Sequence, residues 1–575
     1  MKFQELKKNL KKDFTGLKAV RVALLGDSAT QFLAMAIKAS GYNAGLNIDL
    51  FEADYDLVYE TLIDKNHKIY TEKYDYIILF HSSEKLIQSF YKTSSDRQKI
   101  FFEDTNVYFE TITNLIKKHS SAGIILNNFN EINDGVFGNY SSKTASSFIH
   151  QQRKINIVLQ DLAASTKNIF IADILSLVNN AGSKNVTSAK WYLTSQNAFV
   201  LDFLPEVAKA FTDILAALSG KIKKCLIMDL DNTLWGGIIG DDGIENIQLG
   251  DLGIGKAFTA LQQWAKELKK RGILLAVCSK NDEHIAKAVF ENHPEMVLRL
   301  DDISIFVANW SNKGDNIKYI QEILNIGMDS LVFIDDNPFE RNLVISMHPQ
   351  VTVPDLPIDP VDYVAYLQSL NLFETTSFTE EDTIRTKQYK EESERVVMQQ
   401  SFESVDEYLQ SLQMVATVEE INAYNIGRCA QLTQRSNQFN LTTVRYTEQQ
   451  LSNFINEGGK AICISLKDKF GDYGLISLVL LEFTDDALKI NTWIMSCRVL
   501  KRGVEEFAIN EMVNAALKLN ATKLQGLYIP TPKNGMVKDI YSNMGFTESE
   551  AGSASLQVAG FTYFKTFIQK DAHGK

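Results

Sequence analysis

Four short apolar runs, each ending in polar or charged residues, constrain the fold of the middle of this chain most strongly. They read CLIMDLD (225–231), GILLAVCSK (272–280), SIFVANW (304–310) and SLVFIDD (330–336). Continuous apolar runs of this length are typical of strands buried on both faces, and the helical stretches between them are typical of crossover connections. The pattern predicts a parallel sheet with polar groups along its carboxyl edge, where open α/β sheets bind ligands.

The first and last runs end in pairs of carboxylates. Asp229 and Asp231 are two residues apart, a spacing that directs both side chains to the same side of a strand. Asp335 and Asp336 close the last run. Adjacent carboxylates repel each other unless a cation lies between them, and Mg²⁺ prefers oxygen ligands and commonly links carboxylates to a substrate phosphate. The two pairs therefore predict a magnesium site.

A hydroxyl and an ammonium group accompany these carboxylates. Ser279 lies at the end of the second run, and Lys313 stands in ANWSNKGDNI, at the predicted start of a helix. A divalent ion together with a lysine neutralises a transferring phosphoryl group. Any one of these residues could be an ordinary strand end or helix cap, but the whole set in this order indicates phosphoryl chemistry.

The order of these residues resembles the motif order of the haloacid dehalogenase (HAD) phosphatases. The first motif, DxDxT, comprises Asp229, Asp231 and Thr233. The resemblance implies that Asp229 accepts the phosphoryl group as a nucleophile, and that Asp231 protonates the leaving group and then activates water.

The same resemblance implies the ligands of the metal and of the phosphoryl group. Mg²⁺ would be held by Asp229, by the backbone carbonyl of Asp231, and by Asp335 or Asp336. The phosphoryl oxygens would be bound by three further side chains, those of Thr233, Ser279 and Lys313.

Several blocks further along the chain narrow the family. They read DNTLWGGIIGDDG, QLTQRSNQFNLTTVRYT, DKFGDYGLISLV, MSCRVLKRGVEEFAI and YIPTPKNGMVKDIYSNMGF. Together they resemble the FkbH-like family, in which a HAD phosphatase of subfamily IIIC is joined to an acetyltransferase-like (GNAT) domain. The resemblance implies that the chain dephosphorylates 1,3-bisphosphoglycerate and loads the glyceryl group onto the phosphopantetheine thiol of an acyl carrier protein.

In this family a cysteine is the proposed intermediate acceptor, and the matching residue is Cys497 in the MSCR block. It stands between an apolar strand and a helix predicted to begin near Val504. The helix N-terminus and the neighbouring Arg498 would both favour the thiolate, which could attack an acyl phosphate. A buried structural cysteine is the alternative interpretation.

The loop after Cys497 departs from the acetyltransferase pattern. Lys501 stands where that pattern expects the first glycine of the turn that holds the coenzyme A pyrophosphate, which disfavours free coenzyme A. A carrier-protein arm has only one phosphate, which Lys501 and Arg502 could bind as point charges.

A set of polar residues is the predicted acyl and pantetheine site: Arg435, Asn437, Gln438, Asn440, Arg498, Arg502, Lys533 and Asn534. A polyol needs paired hydrogen-bond partners, which such side chains supply. Turn formation and capping are an equally good explanation for the asparagines.

The N-terminal region also alternates strands with helices, and its first strand ends in Gly26, Asp27 and Ser28. This block resembles the first block of the SGNH hydrolases, in which the serine is the nucleophile. The Asp-x-x-His expected near the end of such a domain has no counterpart in QNAFVLDFLPEVAKAF, and Asp27 or Ser28 could simply cap the following helix. We expect a degenerate SGNH-like domain used for docking, and the role of Ser28 stays open.

A multidomain α/β protein is therefore predicted. Its parts are a parallel-sheet SGNH-like domain (1–220), a HAD-like Rossmannoid domain (221–365), a helical connector (366–400) and an α+β GNAT-like domain (401–575). A length of 575 residues has room for three or four domains.

Composition excludes several classes of function. A formal net charge of −12 argues against nonspecific binding of nucleic acid. Five cysteines are too few for a disulfide framework and favour a reducing compartment. The charged N-terminus lacks the apolar run of a secretion signal, and no apolar run approaches the ~18 residues of a membrane helix. We expect a cytoplasmic protein with neither nucleic acid nor membrane as a partner.

The sequence leaves three functions to consider. The first is the coupled phosphatase and glyceryl transferase, and the second is a plain Mg²⁺-dependent small-molecule phosphatase whose outer domains select the substrate. The third is a binding protein with vestigial sites, which the intact set of HAD motifs disfavours.

Overall fold

The structure is a computed structural model that describes residues 1–378, 404–548 and 552–571. The predicted connector (366–400) lies outside the described residues from position 379 onward. Within the described ranges, no helix combines the length and the apolar character that a membrane crossing requires.

The first compact unit comprises Met1–Ser219 with Thr447–Gln450. Its strands are β1 (Lys18–Gly26), β2 (Leu46–Glu52), β3 (Tyr76–Phe80), β4 (Gly123–Asn127) and β5 (Ile169–Ala172). They form one sheet in the order β2-β1-β3-β4-β5, and every neighbouring pair is parallel. This confirms the parallel sheet predicted for the N-terminal region.

Both faces of this sheet are covered, as the side chains of β1 show. Val22 and Leu24 pack into one buried cluster, and Ala23 and Leu25 into another, because successive residues of a strand point to opposite faces. The α-helices before residue 220 are Phe3–Lys7, Gln31–Asn43, Val58–Ile63, Lys68–Thr71, Ser83–Lys92, Ser95–Gln98, Phe101–His119, Phe148–Ser165, Ile174–Ala181, Ser183–Val186, Ala189–Ser195 and Leu204–Leu218.

The second compact unit comprises Gly220–Tyr446 with Leu451–Lys575 and contains two sheets. The strands of the first are β6 (Cys225–Met228), β7 (Leu274–Ser279), β8 (Ile305–Ala308) and β9 (Leu331–Ile334). Their order is β8-β7-β6-β9, and all pairs are parallel. Every residue of β6, β7 and β9 is buried, which explains why these strands read as unbroken apolar runs.

The other sheet of this unit has eight strands: β10 (Val415–Glu419), β11 (Lys460–Lys467), β12 (Asp472–Thr484), β13 (Ala487–Met495), β14 (Lys523–Leu527), β15 (Thr547–Glu548), β16 (Ser553–Gln557) and β17 (Gln569–Lys570). Their order is β15-β16-β14-β13-β12-β11-β10-β17, with antiparallel and parallel pairs. The helix Val504–Lys518 follows β13 and packs into the same core, so the predicted α+β character is confirmed.

The parallel strands β13 and β14 pair only through residues 487–489 and 523–525. Where that pairing ends, the segment 439–441 takes its place. Its backbone carbonyls accept hydrogen bonds from the N–H of Met495 at 3.1 Å and from the N–H of Ile529 at 2.8 Å. The polar stretch that precedes this segment in the sequence therefore lies next to the end of β13.

Among the described residues after position 220, the α-helices are Ile239–Asp242, Gly255–Lys270, Glu283–Asn292, Lys313–Leu324, Pro338–Met347, Tyr363–Ser369, Val405–Ser411, Ile426–Arg435, Glu448–Asn456, Val504–Lys518 and Ile540–Asn543.

Candidate active site

Three carboxylates meet at the carboxyl edge of the four-stranded sheet. Asp229 follows β6 directly, and Asp335 and Asp336 follow β9, which is the neighbour of β6. One oxygen from each of the three lies within 4.8 Å of the others. The strand ends thus bring together side chains that are separated by more than a hundred positions in the sequence.

Lys313 completes this cluster from the first position of the helix Lys313–Leu324. Its Nζ lies 2.6 Å from Oδ2 of Asp335 and 2.8 Å from Oδ1 of Asp229. Burial of the lysine would lower the pKa of Lys313, but the two carboxylates outweigh it and raise that pKa. Lys313 therefore stays charged in a buried position.

The single positive charge of Lys313 cannot neutralise the negative charges of three carboxylates. Burial, and then the charge of Asp229, raise the pKa values of Asp335 and Asp336 above the usual range of aspartic acid. A divalent cation would compensate the repulsion between these buried carboxylates. Carboxylate oxygens are the donors that Mg²⁺ prefers. The residues present fit a magnesium ion held by Asp229, Asp335 and Asp336.

Asp231 lies beside this cluster, and three donors fix its carboxylate. Oδ1 accepts hydrogen bonds from the indole N–H of Trp235 at 2.8 Å and from the backbone N–H of Ile239 at 3.1 Å. Oδ2 accepts one from the side-chain amide of Asn281 at 2.9 Å, and that amide also lies 3.3 Å from Oγ of Ser279. Sequence reasoning missed Asn281, although its position two residues after Ser279 places it at the same strand end.

Thr233 and Ser279 are both buried at this edge. Oγ1 of Thr233 accepts the backbone N–H of Asp336 at 3.1 Å, and so holds the loop that carries the second carboxylate pair. Arg341, another residue missed from the sequence, donates to the backbone carbonyls of Asp335 at 2.8 Å and Asp336 at 2.7 Å. The loop after β9 is therefore fixed from two sides.

An open cavity gives access to this region. Its volume is about 460 Å³, and Asp336 and Arg341 contribute to its wall. Asn232, Gln248 and Tyr363 are further lining residues. A small phosphorylated molecule has room to approach the carboxylate cluster through it.

A second cavity, of about 420 Å³, lies at Cys497. It brings the predicted acceptor Cys497 together with five residues of the predicted acyl and pantetheine site: Arg435, Asn437, Gln438, Arg498 and Lys533. Lys224, Gln321 and Asp329, which lie near the ends of elements of the parallel-sheet part, form another part of its wall. The sequence did not predict that both parts of this unit would line the cavity.

Cys497 is a partly buried free thiol that starts a short turn after β13. Its backbone carbonyl accepts a hydrogen bond from Nδ2 of Asn325 at 2.7 Å. The guanidinium of Arg498 is buried and donates to Oγ of Ser496 at 3.2 Å and to the carbonyl of Tyr473 at 3.3 Å. The backbone at Cys497 is thus held by a hydrogen bond from the parallel-sheet part of the unit.

Three residues of the predicted acyl site are not among the described residues that line this cavity: Asn440, Arg502 and Asn534. Nδ2 of Asn534 donates to the carbonyl of Asn440 at 2.9 Å, which fastens the segment 439–441. Arg502 is buried, donates to the hydroxyl of Tyr473, and lies 3.9 Å from the carboxylate of Asp468. Their contacts support the loops around the cavity.

Lys501 adopts a backbone conformation that glycine would normally supply. Its φ is +61°, in the left-handed region, and Gly503 follows with a φ of +80°. The backbone of Lys501, in the turn before the helix Val504–Lys518, therefore has a conformation typical of glycine. The lysine side chain is exposed.

The N-terminal unit places Ser28 in the interior. Its hydroxyl is buried and makes no hydrogen bond to the described part of the chain. The following helix begins at Gln31 after Thr30, so the interpretation that Asp27 or Ser28 caps it is wrong.

A cavity of about 320 Å³ in the same unit is lined by Asp27 and His81. Sequence reasoning missed His81, and burial lowers the pKa of His81 to about 4.

A parallel sheet with a carboxylate cluster and a buried lysine at its carboxyl edge defines a phosphatase domain of the HAD type. A family model described as the FkbH N-terminal domain matches residues 21–216. The N-terminal part of the protein BF1531 from Bacteroides fragilis, which contains a phosphatase domain and was crystallised with Mg, is 48% identical with a TM-score of 0.63. That likeness covers 66% of this chain and 100% of the other. The chain belongs to the FkbH family.

Two other solved structures are much less similar. The ribosomal-protein-S18-alanine N-acetyltransferase from Escherichia coli is 11% identical with a TM-score of 0.21, and covers 26% of this chain and 100% of its own. The spermidine N-acetyltransferase from Vibrio cholerae, in complex with CoA and spermine, is 14% identical with a TM-score of 0.21, over 25% of this chain and 96% of its own. Both likenesses are too weak to support an argument. The comparison with curated proteins found no match.

Proposed function

We propose that this chain is a Mg²⁺-dependent phosphatase and glyceryl transferase that dephosphorylates 1,3-bisphosphoglycerate and loads the glyceryl group onto the phosphopantetheine thiol of an acyl carrier protein. The observation that carries the proposal is the presence, in one compact unit, of a carboxylate cluster with Lys313 and of Cys497 in the wall of a cavity that several polar and charged residues also line. The crystallisation of the similar BF1531 fragment with Mg supports the choice of metal.

In the proposed phosphatase reaction, Asp229 attacks the phosphorus atom and forms an aspartyl-phosphate, while Asp231 gives its proton to the leaving oxygen. Asp231 then takes a proton from the water that hydrolyses this intermediate. Its fixed hydrogen bonds to Trp235 and Asn281 hold the carboxylate in one orientation for both steps. Lys313 neutralises charge on the phosphoryl oxygens, and Mg²⁺, when bound, would supply the remaining positive charge.

In the proposed transfer reaction, the Cys497 thiolate attacks the acyl carbon of the acyl phosphate. The bond between that carbon and the phosphate oxygen breaks, phosphate leaves with the electron pair, and a thioester forms. The carrier thiol then takes the acyl group by a second exchange of the same kind. Oε1 of Gln438 lines the cavity, is buried, and makes no hydrogen bond among the described residues, so it can accept one from a glyceryl hydroxyl.

We place this reaction in the cytoplasm, as the composition suggests, and all five cysteines are free thiols as a reducing compartment requires. We also infer that the N-terminal unit is a degenerate SGNH-like docking domain. The burial of Ser28 supports this inference, since a nucleophile needs access to its substrate.

Intact-protein mass spectrometry after incubation with 1,3-bisphosphoglycerate and Mg²⁺ tests the proposal. We expect an acyl adduct on the wild-type chain that is absent from Cys497→Ala and sensitive to hydroxylamine, together with release of inorganic phosphate. Release of phosphate without an adduct, at the same rate in both proteins, would instead identify a plain phosphatase whose outer domains select the substrate.

A further inference from the structure

The N-terminal unit contains a cavity that the proposed reaction does not use, with a volume of about 320 Å³. Asp27 follows β1 directly and His81 follows β3 directly, and both line this cavity. Strands β1 and β3 are neighbours, although β2, on the other side of β1, comes between them in the sequence. Open parallel sheets bind ligands beyond the carboxyl ends of the strands, where the strand order reverses in this way. The cavity therefore lies where this kind of sheet usually holds a ligand.

One face of the helix Phe101–His119 forms a further wall of the cavity. Five of its residues line the cavity at positions i, i+3, i+4, i+7 and i+8, the spacing of a single helix face: Phe101, Asp104, Thr105, Tyr108 and Phe109. The ring centroid of Phe109 lies 6.2 Å from that of Phe129, another lining residue, and 4.9 Å from that of His81. Nε2 of His81 lies 3.1 Å from the hydroxyl of Tyr108. These rings form a continuous aromatic wall.

The charged side chains that line the cavity are three carboxylates and one lysine: Asp27, Asp56, Asp104 and Lys85. Two of the carboxylates have a cation beside them. Nζ of Lys85 lies 2.6 Å from Oδ2 of Asp56, and Asp104 is paired with Arg97. The lysine of the cavity is thus already engaged, and one carboxylate is left over.

That carboxylate, Asp27, forms no ion pair with the described residues, and its two oxygens accept the backbone N–H of Ser82 at 2.9 and 3.1 Å. Burial raises the pKa of Asp27 to about 7, as expected for a carboxylate that is removed from water without a cation beside it. His81 supplies no positive charge at neutral pH, because burial lowers its pKa to about 4. A ligand with a positive charge of its own would compensate Asp27, whereas an anionic ligand would be repelled.

We propose that this cavity binds a small organic ammonium ion, whose N–H groups donate to Asp27 and whose apolar body packs against the aromatic wall. This site goes beyond the docking role proposed for the N-terminal unit and does not depend on the proposed reaction. An ammonium ion is attracted to the face of an aromatic ring within about 6 Å, and its hydrogen bonds to a carboxylate are roughly twice as strong as neutral ones. Both contacts favour a cation over a neutral or anionic molecule of the same shape.

Isothermal titration calorimetry of the full chain with 2-phenylethylammonium chloride tests the proposal. The comparison compounds are 2-phenylethanol, which is neutral, and phenylacetate, which is anionic, and both have a similar shape. We expect saturable binding of the ammonium ion and an affinity for either comparison compound that is lower by about tenfold or more. Absence of saturable binding at millimolar concentration, or equal binding of the three compounds, would overturn the proposal.

Two pairs of variants locate the binding. Asp27→Asn removes the charge but keeps an acceptor for the N–H of Ser82, so it should weaken binding of the ammonium ion by about tenfold. Asp96→Asn is the matched control, because the side chain of Asp96 is 94% exposed and lies outside the cavity wall. It should leave binding unchanged.

The second pair decides the question even if Asp27→Asn fails to fold. Ser89 is exposed and lines the cavity, so Ser89→Trp should fill the entrance without disturbing the core and should weaken binding. Gln88→Trp is its control, since Gln88 is equally exposed but is not among the described residues that line the cavity. Undiminished binding in Ser89→Trp, or in a folded Asp27→Asn, would place the ammonium ion elsewhere and overturn the proposal.

Discussion

Nζ of Lys313 lies 2.8 Å from Oδ1 of Asp229, and both side chains are buried. Lys313 lies in the first turn of its helix, and its positive charge stands among three carboxylates. The stability of the metal-free site therefore depends on Lys313.

We expect Lys313→Met to destabilise the metal-free protein by about 3–5 kcal/mol, because removal of one partner leaves buried charges without compensation. Urea denaturation in EDTA measures the free energy of unfolding. Lys318→Met is the matched control, since Lys318 is on the same helix and 61% of its side chain is exposed. Equal stability of the two variants would contradict the compensating role of Lys313.

Asp229→Asn should remove phosphate release while the chain stays folded. Loss of the nucleophile should lower the rate by about four orders of magnitude or more. The substitution also removes one of the mutually repelling carboxylates, so the melting temperature in EDTA should not fall. Phosphate release measured with a small phosphomonoester and Mg²⁺, alongside thermal unfolding, checks both expectations. Undiminished turnover would exclude Asp229 as the nucleophile.

The stabilisation by Mg²⁺ should grow as the pH rises from 5 towards 8. The raised pKa values mean that Asp335 and Asp336 bind protons more tightly in the folded than in the unfolded chain. The metal-free protein consequently loses stability as the pH rises above about 4, the ordinary value for aspartic acid, through the raised values. Mg²⁺ binds the ionised carboxylates, so its effect on the melting temperature should increase over the same range. An effect that does not depend on pH, or one that persists in Asp335→Asn, would contradict this.

Asn325→Gly should alter the reactivity of Cys497 and leave phosphate release unchanged. Asn325 has a φ of +47° at the end of its helix, so glycine keeps the backbone while the bond from Nδ2 to the Cys497 carbonyl is lost. The expected loss of stability is about 1 kcal/mol. Alkylation kinetics of Cys497 and phosphatase assays on the same preparation separate the two effects. A fall in phosphatase activity equal to the change at Cys497 would show that Asn325 supports the whole unit.

Much of the carboxyl edge of the four-stranded sheet could be predicted from local patterns in the sequence. The four apolar runs became β6 to β9, because a strand buried on both faces must be apolar throughout. The helix predicted at Lys313 begins at that residue. Strand β2 was not predicted, although the alternation of apolar and polar residues in LNIDLFE is the usual signal of a half-buried strand.

The sequence by itself determined the parallel sheet, the carboxylate pairs at its strand ends and the family of the chain, because these depend on neighbouring residues and on the direction of the strands. Only the tertiary structure decided that Asn281 would hold Asp231, that Ser28 would be buried, and that Lys224 would meet Cys497 across one cavity. Those relationships join residues far apart along the chain, and they arise from how sheets and loops pack, which no local pattern specifies.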